Sequence, residues 1–130
     1  MDKPIKVVAA IICKNDKILL SKRPIEKHQG GLWEFPGGKV EANESNENAL
    51  IRECLEELDI EIFNPQYFDK IDFNYTDKNV SIYFYRVSNF SGTAKGNEGQ
   101  KIAWINQSDL QGKKFPEANK FIVDKLMFAN

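Results

Sequence analysis

The stretch from Gly37 to Ile60, GGKVEANESNENALIRECLEELDI, constrains this chain more than any other. Ser45 is a good N-cap and neither Pro nor Gly interrupts until well past Leu58, so the pattern predicts a helix from about residue 46 to 58. At about 100° per residue, Glu53, Glu56 and Glu57 fall within an arc of roughly 100°, with Ile51, Cys54, Leu55 and Leu58 opposite and Leu50 at the border. Ala49 is expected on the acidic side, leaving room for something to approach. Like charges at this spacing repel, weakly in water and several times more when partly desolvated. A bound Mg²⁺ or Mn²⁺ would reverse the sign.

The flanking residues strengthen that reading. Gly37 and Gly38 let backbone come close to a ligand, Glu44 stands at the helix entrance, and Arg52 lies beside the acids as a clamp for a carboxylate or phosphate oxygen. From Gly38 the order is five residues, Glu44, seven residues, Arg52-Glu53, Cys54, Leu55, Glu56-Glu57, Leu58, Asp59, Ile60.

That order resembles the box of the Nudix hydrolase family, with two departures. Cys54 fills an aliphatic slot, where a free Cys packs as a small hydrophobe. Asp59 replaces the Gly that ends the helix, so termination is expected to be slightly strained.

With 130 residues there is room for one domain, spanning residues 1–130. Net charge is −1 with no basic run, which argues against a nucleic-acid polymer as partner. Cys13 and Cys54 lack CxxC or Cys/His spacing and read as reduced thiols of a cytoplasmic protein. The apolar run Val7 to Cys13 is too short and too soon charged for a signal peptide or a membrane span. The chain is expected to be a monomer that engages no membrane.

Residues 5–13 and 17–22 read as a hairpin around Asn15-Asp16, and Leu32 to Phe35 as a short strand. After the helix, strands are expected at residues 60–63, 67–74, 80–87 and 101–105, the middle pair turning at Thr76-Asp77-Lys78. A helical turn at 108–110 and a helix over 116–128 complete the chain. The order predicts an α/β fold, a mixed sheet covered on two sides. The resemblance implies the same, an α/β/α sandwich.

A di- or triphosphate approaching an acidic face needs divalent ions between them, so Mg²⁺ or Mn²⁺ is the expected cofactor. Glu53, Glu56, Glu57 and the Gly37 carbonyl are the hard ligands on offer, without the His and Cys that zinc prefers. The resemblance adds Glu98, in the loop GNEGQ, as a ligand or general base; Glu53 and Glu98 both remain open for the base. Glu44 and Arg52 are expected to orient the acidic helix.

Over nearly the whole length the likeness narrows to the MutT type, small Nudix enzymes that hydrolyse oxidised guanine nucleotides. Lys22-Arg23, His28, Trp33-Glu34-Phe35-Pro36, Asn97-Glu98-Gly99 and Phe115-Pro116-Glu117-Ala118-Asn119 carry it. It implies a nucleotide pocket lined by Arg23, His28, Glu34, Phe35 and Asn119, with Asp77 and Lys78 in the neighbouring turn. Lys78 stands where that type carries Arg, and Lys cannot form the same planar fork.

Asn119 would read the base. Guanine offers acceptors at O6 and N7, whereas oxidation at C8 puts a proton on N7, so 8-oxoguanine matches both ends of one amide. The implied function is hydrolysis of 8-oxo-dGTP to the monophosphate and pyrophosphate, which sanitises the nucleotide pool. Two other readings compete. The text VVAAII, KILL, RP and GLWEFPGGKVE also resembles a sister group acting on CTP and other pyrimidine triphosphates, in which an acid is expected where Asn119 stands. A Nudix-fold binding module without activity is the third, and the intact Glu53, Glu56 and Glu57 argue against it.

Overall fold

A computed structural model describes residues 4–23 and 30–128. β1 (Ile5–Lys14) and β2 (Lys17–Lys22) form the predicted hairpin. Asn15 and Asp16 turn it at φ 52° and 64°, a conformation that short polar side chains tolerate better than most. There follow β3 (Trp33–Glu34), β4 (Gly37–Lys39), α1 (Asn46–Leu58), β5 (Glu61–Phe63), β6 (Gln66–Asn74), β7 (Asn79–Val87), β8 (Asn89–Ser91) and β9 (Ile102–Asn106). A 3-10 helix (Gln107–Gly112) and α2 (Glu117–Phe128) close the described chain.

The main sheet runs β3-β2-β1-β7-β6, with β4 added to β1 and β9 added to β2. β1 and β7 are parallel over Ile5–Ile12 and Val80–Val87, and the other pairs are antiparallel, so the sheet is mixed as expected. β5 and β8 form a separate two-stranded ribbon.

Strand alternation divides the core. Val8, Ala10 and Ile12 of β1 pack with Leu50, Cys54 and Leu58 of α1, while Ala9 and Ile11 pack with Ile122, Val123 and Leu126 of α2. Each fully buried Ile or Leu contributes roughly 1.5–3 kcal/mol of hydrophobic stabilisation before conformational entropy is counted. Helices therefore cover both faces of one mixed sheet, as the element order predicts, and the result is the α/β/α sandwich that the resemblance implies. No helix among the described residues is long and apolar enough to cross a membrane.

Several expectations need correction. The strand at Leu32 to Phe35 shrinks to Trp33–Glu34, because Phe35 turns into the α2-side core against Phe84 and Phe115. Gly37–Lys39 is a short strand for which the sequence gives no expectation, and Gly37 is needed there because a Cβ would collide with the Val8 carbonyl. β8 was not anticipated, since Asn89–Ser91 is too short and polar to register as a strand.

On α1, Leu55 is 52% exposed rather than packed, and Ala49 is fully buried in the core rather than facing an open acidic side. The acids do not stand opposite the core. Ala49, Glu53, Glu57, Leu50 and Cys54 share a continuous arc of about 140°, so Glu53 and Glu57 point along the seam between helix and sheet. Asp59 ends α1 in the left-handed conformation at φ 59°, its N–H donating to the Leu55 carbonyl, as expected for the residue in the Gly slot.

Candidate active site

Ser45 starts α1 by accepting the Asn48 N–H at 3.1 Å, which fixes where the acids emerge. Arg52 then organises that surface. Its Nε and Nη2 donate to the two Glu44 oxygens at 2.8 and 3.0 Å, and Nη2 also reaches the Lys39 carbonyl at 3.1 Å. Its Nη1 lies 3.3 Å from both Glu53 Oε1 and Glu56 Oε2. One guanidinium thus ties the loop before the helix, β4 and two acids of α1 together. The Arg52 bonds, with a further one from the Glu41 N–H, hold the Glu44 carboxyl down at about 2.

Glu53 and Glu57 are half-buried and Glu56 is exposed. Burial raises the Glu53 carboxyl above its ordinary value, opposed by Arg52 and reinforced by Glu56 and Glu98. Glu57 is pushed up to about 8, by burial first and then by the charges of Glu53, Glu98, Glu34 and Glu56. Its Oε2 is buried with no hydrogen-bond partner among the described residues. Gly38 is what lets the acids fit, because a Cβ there would collide with the Glu53 carboxylate.

Glu98 sits exposed in the loop between β8 and β9, yet its charge reaches Glu53 and Glu57. That loop is fastened to the end of α1: the Lys95, Asn97 and Gln100 side of it donates to the Leu58, Glu57 and Glu56 carbonyls at 2.9 to 3.3 Å. These carbonyls belong to the last turn of the helix, which has no intrahelical donors for them.

Beside the acids lies a cavity of about 240 Å³. Arg23, Glu34, Phe35, Gly37, Gly38, Lys78 and Asn119 line it, with apolar walls from Ile5, Val7, Val80 and Ile82. Arg23 Nη1 and Glu34 Oε1 are 3.0 Å apart, and burial raises the Glu34 carboxyl while Arg23 opposes the shift. Asn119, 8% exposed, stands in the first turn of α2 with its N–H on the Pro116 carbonyl at 2.9 Å. Lys78 holds its ammonium 5.8 Å from the centre of the Tyr75 ring. A larger cavity of about 600 Å³ near Leu110, Phe115 and Lys120 has neither Glu34 nor the Gly37-Gly38 backbone in its lining.

The structure therefore brings Glu44, Arg52, Glu53, Glu56, Glu57 and Glu98 into one electrostatic neighbourhood, and Arg23, Glu34, Phe35, Gly37, Lys78 and Asn119 around one cavity. Asp77 is exposed in the turn and does not line that cavity, because the turn bonds back from Tyr75 N–H to Lys78 O at 2.8 Å and leaves Asp77 at its tip. His28 lies outside the described residues. Tyr75, Val80 and Ile82 are lining residues that no motif in the sequence marks; the alternation of β7 is the available signal for Val80 and Ile82.

A divalent cation fits the donors present. Carboxylate oxygens are hard ligands, and a partnerless buried carboxylate oxygen among four other acids is an arrangement that a dication stabilises. Among the described residues no three His, Cys, Asp or Glu side chains already converge as a closed ligand set, since Arg52 draws Glu53 and Glu56 to itself.

Residues 7–125 match the NUDIX domain family. A protein of Haemophilus influenzae called 8-oxo-dGTP diphosphatase is 39% identical over 129 residues, 98% of this chain and 95% of its own. One of Escherichia coli called CTP pyrophosphohydrolase is 41% identical over 107 residues, covering 82% and 79%. A solved structure from work on MutT of Aliivibrio salmonicida and Vibrio cholerae superposes with a TM-score of 0.84 at 41% identity, over 96% of this chain and 98% of that one.

Proposed function

The chain belongs to the Nudix hydrolase family, and on that premise we propose that it hydrolyses 8-oxo-dGTP to 8-oxo-dGMP and pyrophosphate in a reaction dependent on Mg²⁺ or Mn²⁺. The observation that carries this reading is the buried, partnerless Glu57 oxygen, which feels the charges of Glu53, Glu56 and Glu98 and also of Glu34, a residue that lines the same cavity as Asn119.

Glu53, Glu56, Glu57, Glu98 and the Gly37 carbonyl are the groups that would hold the cation. When bound, such an ion neutralises phosphate charge and acidifies a water. Arg52 keeps Glu53 and Glu56 on the same side and Glu44 keeps Arg52 in place, so the acids are arranged before substrate arrives. The proton of the attacking water passes to Glu53 or Glu98. Water adds its oxygen at phosphorus, the P–O bond to the leaving phosphate breaks, and monophosphate and pyrophosphate depart.

Asn119 reads the base in this proposal, in a cavity that Phe35 also lines with its ring stacked on Phe115, ring centres 5.6 Å apart. 8-Oxoguanine offers an acceptor and a donor side by side to its amide, whereas guanine would set a lone pair against the amide oxygen. An unmatched buried polar group costs about 1–3 kcal/mol, so sites built this way discriminate strongly. Lys78 and the Arg23–Glu34 pair complete the rim.

The relative that carries CTP in its name makes CTP the second reading. Against it stands Asn119, an amide rather than the carboxylate that would accept from the cytosine amino group. A panel of 8-oxo-dGTP, dGTP, dCTP and CTP with Mg²⁺ tests the proposal. Preferred turnover of 8-oxo-dGTP supports it, and comparable turnover of dCTP or CTP removes the substrate assignment. We also place the protein in the cytoplasm as a monomeric, one-domain enzyme of nucleotide-pool sanitation that binds no nucleic-acid polymer; gel filtration with light scattering tests the monomer.

A further inference from the structure

Among the described residues, Gln100 is the one side chain that bonds both to the acidic helix and to the backbone of Glu98. Its Nε2 donates to the Glu57 carbonyl at 3.0 Å, and its Oε1 accepts the Glu98 N–H at 2.9 Å. The two contacts fix the amide orientation, because a flipped amide would set donor against donor at Glu98 and acceptor against acceptor at Glu57.

The segment around it is shaped for the same end. Gly99 adopts φ 80° and returns its N–H to the Gly96 carbonyl at 3.0 Å, closing a turn that holds Glu98 at its tip. Gly96 must also be Gly, since a Cβ would collide with the Gln100 carbonyl. Asn97 adds its own bonds, N–H to Glu57 O at 3.0 Å and Nδ2 to Glu56 O at 3.3 Å. A plain helix cap would be served by Asn97 and Lys95 alone. Gln100 does something further: it binds the Glu98 backbone directly and so sets how far that residue stands from Glu57.

We propose that Gln100 is a positioning residue for the hydrolysis, acting by locking the Glu98 backbone to the Glu57 end of α1 so that the loop acid and the helix acids face one substrate. The proposal rests on the catalytic reading above, in which Glu98 serves the reaction. Without the amide, Asn97 still fastens the loop to the helix, but the tip carrying Glu98 loses its own anchor.

The test compares wild type, Gln100→Leu, Glu98→Ala and the double variant. Amide hydrogen exchange followed by NMR reads the contact itself: the Glu98 N–H is expected to exchange at least about tenfold faster in Gln100→Leu, with the α1 core amides unchanged. In kinetics with Mg²⁺, kcat for 8-oxo-dGTP is expected to fall about ten- to a hundredfold while KM moves less than about threefold. The same substitution in the Glu98→Ala background is expected to cost less than about threefold, because the residue it positions is gone. An effect of Gln100→Leu that is equally large with and without Glu98, or a kcat within about threefold of wild type, overturns the proposal. So does unchanged Glu98 exchange. A wild type inactive on 8-oxo-dGTP would instead overturn the substrate assignment, and the nucleotide it does turn over would then report the same four-variant comparison.

Discussion

Arg52 grips Glu44 through two bonds, Nε to Oε2 at 2.8 Å and Nη2 to Oε1 at 3.0 Å, and it is this pair that joins the chain before α1 to the acids on it. The remaining guanidinium edge then faces Glu53 and Glu56. The order of the acids along the sequence becomes an arrangement in space because one cation is shared among four carboxylates, Glu41 joining the other three at 3.6 Å.

Glu44→Gln would break the charge half of that grip. Turnover is expected to fall about ten- to a hundredfold, as for other partners that orient metal-binding side chains. The pH dependence has a definite sign. The folded-state carboxyl lies near 2, below its ordinary 4.5, so its contribution to stability is present above about pH 4.5 and is lost as pH falls toward 2. Melting temperatures measured from pH 7 to pH 2 should show the variant below wild type at neutral pH, with the gap closing through that acid window. A gap independent of pH would contradict the assignment.

Gly38→Ala tests the space left for Glu53. The added Cβ meets only the end of a flexible side chain, so the fold should survive while the carboxylate is displaced. A fall of about a hundredfold or more in turnover with near-native circular dichroism is expected; full activity would show that Glu53 need not occupy its present place.

Asn119→Ala should cost selectivity more than chemistry. The ratio of kcat/KM for 8-oxo-dGTP over dGTP is expected to drop at least about tenfold, the equivalent of one lost buried hydrogen bond. Equal loss on both nucleotides would mean that Asn119 supports the pocket without reading the base.

Asp59→Gly should stabilise. Asp59 pays for a left-handed backbone at φ 59°, and its exposed pair with Lys95 at 3.5 Å is worth little. A gain of about 0.5–1 kcal/mol, seen as a rise of a few degrees in Tm, is expected, with activity unchanged.

These residues also show what the sequence could convey. The Ser45 cap, the uninterrupted run to Leu58 and the polar turn at Asn15-Asp16 act locally, so helix and hairpin were legible. Periodicity gave the acidic arc but not its bearing on the sheet. Periodicity alone puts Leu55 in the core and Ala49 on the open side, whereas packing against β1 buries Ala49 and turns Glu53 and Glu57 into the seam. Short pieces such as β4 and β8 owe their existence to partners distant in sequence, and no local signal marks them. Glu98 became a candidate through resemblance alone. The contact that anchors it, from Gln100 to a helix 43 residues away, has no signature in the sequence.

The most direct test is hydrolysis of 8-oxo-dGTP by wild type and Glu57→Gln, measured in EDTA and across a titration of Mg²⁺. Wild type should be inactive in EDTA and activated saturably by the ion. Glu57→Gln should be slower by about a hundredfold or more at every concentration, and above about pH 8, where the buried, partnerless carboxylate carries its charge, it should melt no lower than wild type. Turnover that persists in EDTA, or a variant as fast as wild type, would contradict the assignment of these glutamates to a catalytic dication.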